Sequence, residues 1–216
     1  MKLILYGTTM WASPYVFSCY VALREKELPF EMRLLALDKG EHRSAEYARL
    51  SLTGRVPALL DGDFAVSESS AIVEYLDEQF PEGPRLLPAE TAARARARQV
   101  MAWMRSDFAA LRSERSSQYV FFPLESLPPP PPLSKEGMAA AKRLVNGAAA
   151  LVPQGGGSLF GAWSVADCDL AMMLQRLHRT GFELPANIAR YVEAQWARPT
   201  VQEWVAQPRP AYREPA

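Results

Sequence analysis

Three short stretches carry side chains whose types and spacing could do chemistry. Ser13-Pro14 places a hydroxyl at a helix start, with proline at the one position where it suits a helix. Val56-Pro57 opens a short apolar strand, and because proline donates nothing to a ladder, Val56 presents its own N–H and C=O at an open main-chain edge. Ser67-Glu68-Ser69-Ser70 puts hydroxyls and a carboxylate just ahead of a periodic apolar segment, which marks a second helix start. An edge that can pair with a peptide, beside a helix start that attracts a carboxylate, forms a site for a small charged peptide. Ser13 reads locally in two ways, as the cap of its own helix or as a catalytic hydroxyl.

These stretches need elements to hold them. Leu3-Ile4-Leu5-Tyr6, ended by Gly7, suits a buried strand, residues 8–12 a loop, and the helix opened by Ser13-Pro14 runs to near Glu25-Lys26. Residues 30–37 read as a second strand, 38–43 as a polar loop, and Ser44 as the cap of a short helix through Leu50. Asp61-Gly62 is a hairpin signal between two apolar runs, and Ile72, Val73, Leu76 and Phe80 cover one face of a closing helix. The order βαβαββα is that of a thioredoxin-like domain.

Pro81-Glu82-Gly83-Pro84 stops that helix, and everything after the linker has helical spacing. The expected division is an α/β domain over 1–80, a linker over 81–91, and an all-α domain over 92–216. Within the last, helices are expected over 92–115, 134–152 and 186–197, and from Pro199; Ser164-Val165-Ala166-Asp167 has capping-box form ahead of the apolar helix 170–177. The proline run 128–132 must be extended, as a stiff loop or as a ligand for an SH3-type partner. Gly155-Gly156-Gly157 lacks the strand-to-helix context of a phosphate loop.

Composition narrows the function. The 24 basic and 24 acidic residues cancel, so no electrostatic footprint points to nucleic acid or an anionic membrane, and a small-molecule partner is expected. Two cysteines, Cys19 and Cys168, form no C-x-x-C pair or metal cluster, which fits a reducing cytoplasm. The apolar start at Met1 is interrupted at once by Gly7-Thr8-Thr9, and no run approaches the roughly 18–20 apolar residues a bilayer requires.

In this order Ser13-Pro14-Tyr15, Gly40-Glu41-His42-Arg43-Ser44, Gly54-Arg55-Val56-Pro57-Ala58-Leu59 and Ser67-Glu68-Ser69-Ser70-Ala71-Ile72 resemble the glutathione transferases. The resemblance covers nearly the whole chain and is densest over 3–80, with serine-type N-terminal motifs like those of the tau and phi classes in a bacterial member. It implies glutathione as co-substrate and no metal, a small electrophile as second substrate, a role in detoxification, and a homodimer. It also implies that Ser13 is catalytic. A free thiol titrates near about 8.5, and lowering that by about two units takes about 2.7 kcal/mol, which a hydroxyl donor and a helix end could supply together.

The remaining roles follow from the same resemblance. Val56 would pair its backbone with the cysteinyl unit, ahead of a cis Pro57; Glu68 would take the γ-glutamyl ammonium and Ser69 its carboxylate; His42, Arg43 or Arg55 would meet the glycine end. Met10, Trp11, Arg105, Phe108 and Arg112 are expected to wall the electrophile site, although methionine and phenylalanine at this spacing also suit a core. Asp107 might reach a neighbouring subunit's glutathione. Serine at position 13 disfavours disulfide exchange, and Cys19, about 240° around the helix from Ser13, reads as a core cysteine. His178 reads as structural. The competing function is a transferase-like binding module without activity, and a glutaredoxin-like reductase is the third possibility.

Overall fold

The computed structural model describes residues 2–212; Met1 and residues 213–216, the outer ends of the two expected domains, lie outside the described residues. Strand β1 (Leu3–Thr8) leads through a loop to helix α1 (Pro14–Glu25), and strand β2 (Phe30–Leu35) returns parallel to β1. Helix α2 (Ala45–Ala48) precedes strands β3 (Ala58–Asp61) and β4 (Phe64–Ser67), and helix α3 (Ser69–Gln79) closes this half. The sheet order is β2-β1-β3-β4, with β3 antiparallel to both β1 and β4. This is the thioredoxin-like order expected from the sequence.

Alternation along β1 divides the core. Leu3 and Leu5 face α1 and α3, where Val16, Phe17, Ile72, Val73 and Leu76 are buried, while Ile4 and Tyr6 face Tyr47 of α2 on the other side. Residues 38–43, expected as a loop, are two 3₁₀ turns, Leu37–Lys39 and Glu41–Arg43, hinged at Gly40 with φ 75°.

All regular structure after the linker is helical: α4 (Thr91–Ser106), α5 (Ala109–Glu114), α6 (Gln118–Phe121), α7 (Lys135–Leu151), α8 (Val165–His178), α9 (Ala186–Trp196) and α10 (Pro199–Val205), with one 3₁₀ turn at Leu124–Ser126. The expected helix over 92–115 is broken. The Asp107 carboxylate accepts the Phe108 N–H at 2.8 Å, and Phe108 takes φ 63°, so α4 and α5 are separate rods.

α8 is apolar nearly all round and is the buried axis of this half, packed by α4, α9 and α1. Asp167 fixes its start. Its carboxylate accepts the Ser164 N–H at 2.9 Å, the Ser164 hydroxyl at 3.0 Å, the Leu159 N–H at 2.8 Å and the Tyr191 hydroxyl at 3.2 Å. Burial pushes this carboxyl above the usual range, and those hydrogen bonds pull the other way.

The segment between the halves is no free tether. Leu86 and Leu87 are buried, the Leu86 N–H donates to Asp77 at 2.7 Å, and the Leu86 C=O accepts from Val165 at 2.9 Å. Trp204 of α10 closes the seam against Trp11, Phe17 and Tyr20. The proline run is extended; the Pro128 and Pro131 carbonyls, three residues apart and so on one face, accept from Tyr119 at 3.2 Å and Arg115 at 2.7 Å.

Removing one member of a buried charged network costs about 3–5 kcal/mol. Asp167→Ala should lower the unfolding free energy by that order in a urea titration, and Asp167→Asn, which keeps one acceptor oxygen, by less.

Candidate functional site

The site lies where the starts of α1 and α3 meet the α4 and α8 helices. Ser13 caps α1, its Oγ accepting the Val16 N–H at 3.3 Å, so the hydroxyl hydrogen remains free to donate outward. The Val56-Pro57 peptide bond is cis. Among the described residues, no hydrogen bond meets the Val56 N–H or C=O, which stays an open edge beyond the end of β3.

Arg55, Val56, Pro57, Glu68 and Ser69 line one cleft of about 180 Å³ together with Tyr15 and Arg105. Glu68 holds φ 73° and ψ 117°, a conformation non-glycine residues rarely adopt, and its carboxylate accepts the Thr53 hydroxyl at 3.2 Å. His42, Arg43 and Arg55 share a neighbouring shallow depression, with Arg55 common to both. The His42 Nδ1 is buried and has no partner among the described residues.

The expected electrophile wall divides. Met10 is half-buried against the core and Arg112 lines a second, smaller cavity beside Met104 and Tyr15. Trp11 and Phe108 are only 7% and 1% exposed. Trp11 packs 4.8 Å from Trp204, and Phe108 packs 4.8 Å from Trp103, so both rings are held within the core instead of facing an open pocket. The cause is local: both residues have positive φ, which turns their side chains back into the fold.

Arg105 is placed differently from that expectation. Its Nε and Nη2 donate to the Ser69 hydroxyl at 3.1 and 3.0 Å, and its Nη1 donates to Asp169 at 2.5 Å and the Met101 C=O at 2.8 Å. Burial alone would lower its pKa, but the Asp169 charge outweighs burial and holds it above its ordinary value. Arg105 therefore belongs to the Ser69 cleft as much as to the smaller cavity. Asp107 is engaged within its own chain by Arg143 at 2.9 Å, which leaves its carboxylate committed there. His178 lies 3.8 Å from Glu193.

The sequence reading missed Tyr15, Asp169 and Arg176, which share these cavities. For Asp169 no local signal existed, since its partner Arg105 lies 64 positions earlier. Tyr15 could have been found as the residue one helical step past Ser13.

Residues 12–79 match the model of the glutathione S-transferase N-terminal domain, and residues 90–209 that of the glutathione S-transferase C-terminal domain. The chain belongs to the glutathione S-transferase family. It is 36% identical over 122 residues to a probable maleylacetoacetate isomerase of Vibrio cholerae, covering 56% of this chain and 55% of that protein. To glutathione S-transferase theta-1 of Mus musculus it is 34% identical over 113 residues, covering 51% and 47%. These matches thus span about half the length of the curated relatives. A solved Burkholderia glutathione transferase homologue with bound glutathione superposes with a TM-score of 0.75 at 38% identity, covering 95% of this chain and 96% of that one.

Cys19 and Cys168 are both buried, and burial pushes each thiol well above its ordinary pKa. Neither is a nucleophile in the folded protein. Ellman's reagent at pH 8 should find almost no thiol in the native protein and both cysteines after unfolding in guanidinium.

Proposed function

We propose that this protein is a glutathione transferase that binds glutathione in the cleft between Arg55 and Ser69, holds its sulfur as thiolate at Ser13, and delivers it to an electrophile or an organic peroxide. The observation that carries the reading is the convergence, in one cleft, of the unpartnered Val56 main chain with Glu68 and Ser69 at the start of α3. A γ-glutamyl peptide has a matching order of groups: a carboxylate for Ser69 and Arg105, an ammonium for Glu68, and an amide for Val56.

Each residue then has a distinct task. Arg105 is already hydrogen-bonded to the Ser69 oxygen, so the Ser69 hydrogen is turned outward as a donor, and the guanidinium adds positive charge behind it. Pro57 shapes the end of the edge. The glycine carboxylate falls to Arg55, with His42 and Arg43 beside it. Ser13 acts on the sulfur by one hydrogen bond together with the positive end of α1, both favouring the anion. Met10 and Arg112 face the second substrate, backed by Trp11 and Phe108.

The division into a glutathione-binding half over 1–80, a linker over 81–91 and an electrophile-site half over 92–216 is supported by the placement of these residues. Within the family, Ser13-Pro14-Tyr15 supports a serine-type enzyme; the named relatives draw it towards the theta and zeta classes and away from tau and phi. A homodimer in the cytoplasm fits the neutral charge and the absence, among the described residues, of a helix long and apolar enough to cross a membrane.

Ser13→Ala should still bind glutathione. The absorbance of the bound thiolate should titrate about two units higher than in the wild type, near the ordinary thiol value, and turnover at pH 7 should fall roughly 25-fold with the thiolate fraction. Turnover and titration both unchanged would remove Ser13 from the mechanism.

A further inference from the structure

Beside the glutathione cleft, and sharing Tyr15 and Arg105 with it, lies a notch of about 20 Å³ whose charged lining is Arg105, Arg112, Arg176 and Asp169. Three guanidiniums face one carboxylate. Asp169 is taken by Arg105 at 2.5 Å, and among the described residues no carboxylate comes within ion-pair distance of Arg112 or Arg176.

What these two arginines do hold is main chain. Arg112 Nη1 donates to the Asp107 and Met104 carbonyls, and Arg176 Nη1 to the Arg115 carbonyl at 2.6 Å. Arg176 is 2% exposed, and its Nε has no partner. Burial, with the nearby Arg112 charge, lowers its pKa to about 10, which still leaves it protonated at neutral pH. A buried cation with a spare donor is costly unless an anion meets it.

The size of the notch restricts that anion. It has room for roughly one or two water-sized groups, which suits the two oxygens of a carboxylate and the planar fork of a guanidinium. Met172 and Met173 beside it offer an adaptable apolar wall. Pro14 in its lining directly follows Ser13, so a molecule anchored there lies within a short span of the sulfur.

We propose that the electrophile of this enzyme carries a carboxylate, seated in this notch between Arg112 and Arg176, with its carbon skeleton along the methionines and its reactive carbon towards Ser13. The inference rests on the transferase reading above and names its second-substrate class.

The test compares 4-chloro-3-nitrobenzoate with its methyl ester at saturating glutathione, each rate divided by its uncatalysed rate. In both, the thiolate forms a C–S bond at the ring carbon and the C–Cl bond breaks, chloride leaving with the bonding electrons. The wild type should favour the acid over the ester by about tenfold or more in kcat/KM, as expected for a charged hydrogen bond, and Arg112→Gln should erase most of that ratio. Equal use of the two, or preference for the ester, overturns the proposal. So does an acid-to-ester ratio untouched by Arg112→Gln, or a loss that appears only as a higher glutathione KM with both substrates, which would assign the arginines to glutathione. Should Arg112→Gln not fold, the wild-type ratio decides alone. If neither chloride is conjugated, the transferase reading falls and this inference falls with it.

Discussion

The Arg105 guanidinium is the point where the two halves of the molecule depend on each other. It leaves α4, clasps the Ser69 hydroxyl at the start of α3 and meets Asp169 on the buried axis α8. Charge-assisted hydrogen bonds are short, directional and about twice as strong as neutral ones, so the three elements take one mutual placement. The cleft is a by-product of that placement. α3 begins where it does, with Glu68 in a strained conformation beside it, because Ser69 is held from the helical half.

A second consequence is electrostatic. The chain is neutral as a whole, yet its cations are not evenly spread: Arg105, Arg112 and Arg176 crowd one small volume, and only Asp169 answers them. Net charge describes how a protein meets bulk solvent and large partners; it is silent about a pocket within a Debye length of which the charges no longer cancel. Thiolate formation at Ser13 and anion capture in the notch would draw on the same local excess of positive charge.

Much of this was legible in the sequence, for identifiable reasons. Ser13-Pro14, Asp61-Gly62 and Ser164 to Asp167 carry signals that act within four residues, and local chemistry of that kind survives folding unchanged. The break between α4 and α5 was not legible, because Met101, Met104, Phe108 and Leu111 keep helical spacing across it and pack into the same core. Trp11 and Phe108 read as pocket walls for a related reason: the sequence shows an aromatic near a site, whereas the sign of φ decides which way it faces. Arg105 and Arg176 depended on partners dozens of positions away, and a spacing rule has no access to such pairs.

The linker has a bearing on how the chain can be divided. Its composition suggests two separable modules, but Leu86 shares its N–H with Asp77 and its C=O with Val165, so one residue's main chain is stitched to both halves. An excision at the compositional boundary would strip a carboxylate of its donor on one side and leave an apolar seam bare on the other. The two lobes are thus a single cooperative body, and recombination between relatives would be constrained to exchange the strap and its two anchors together.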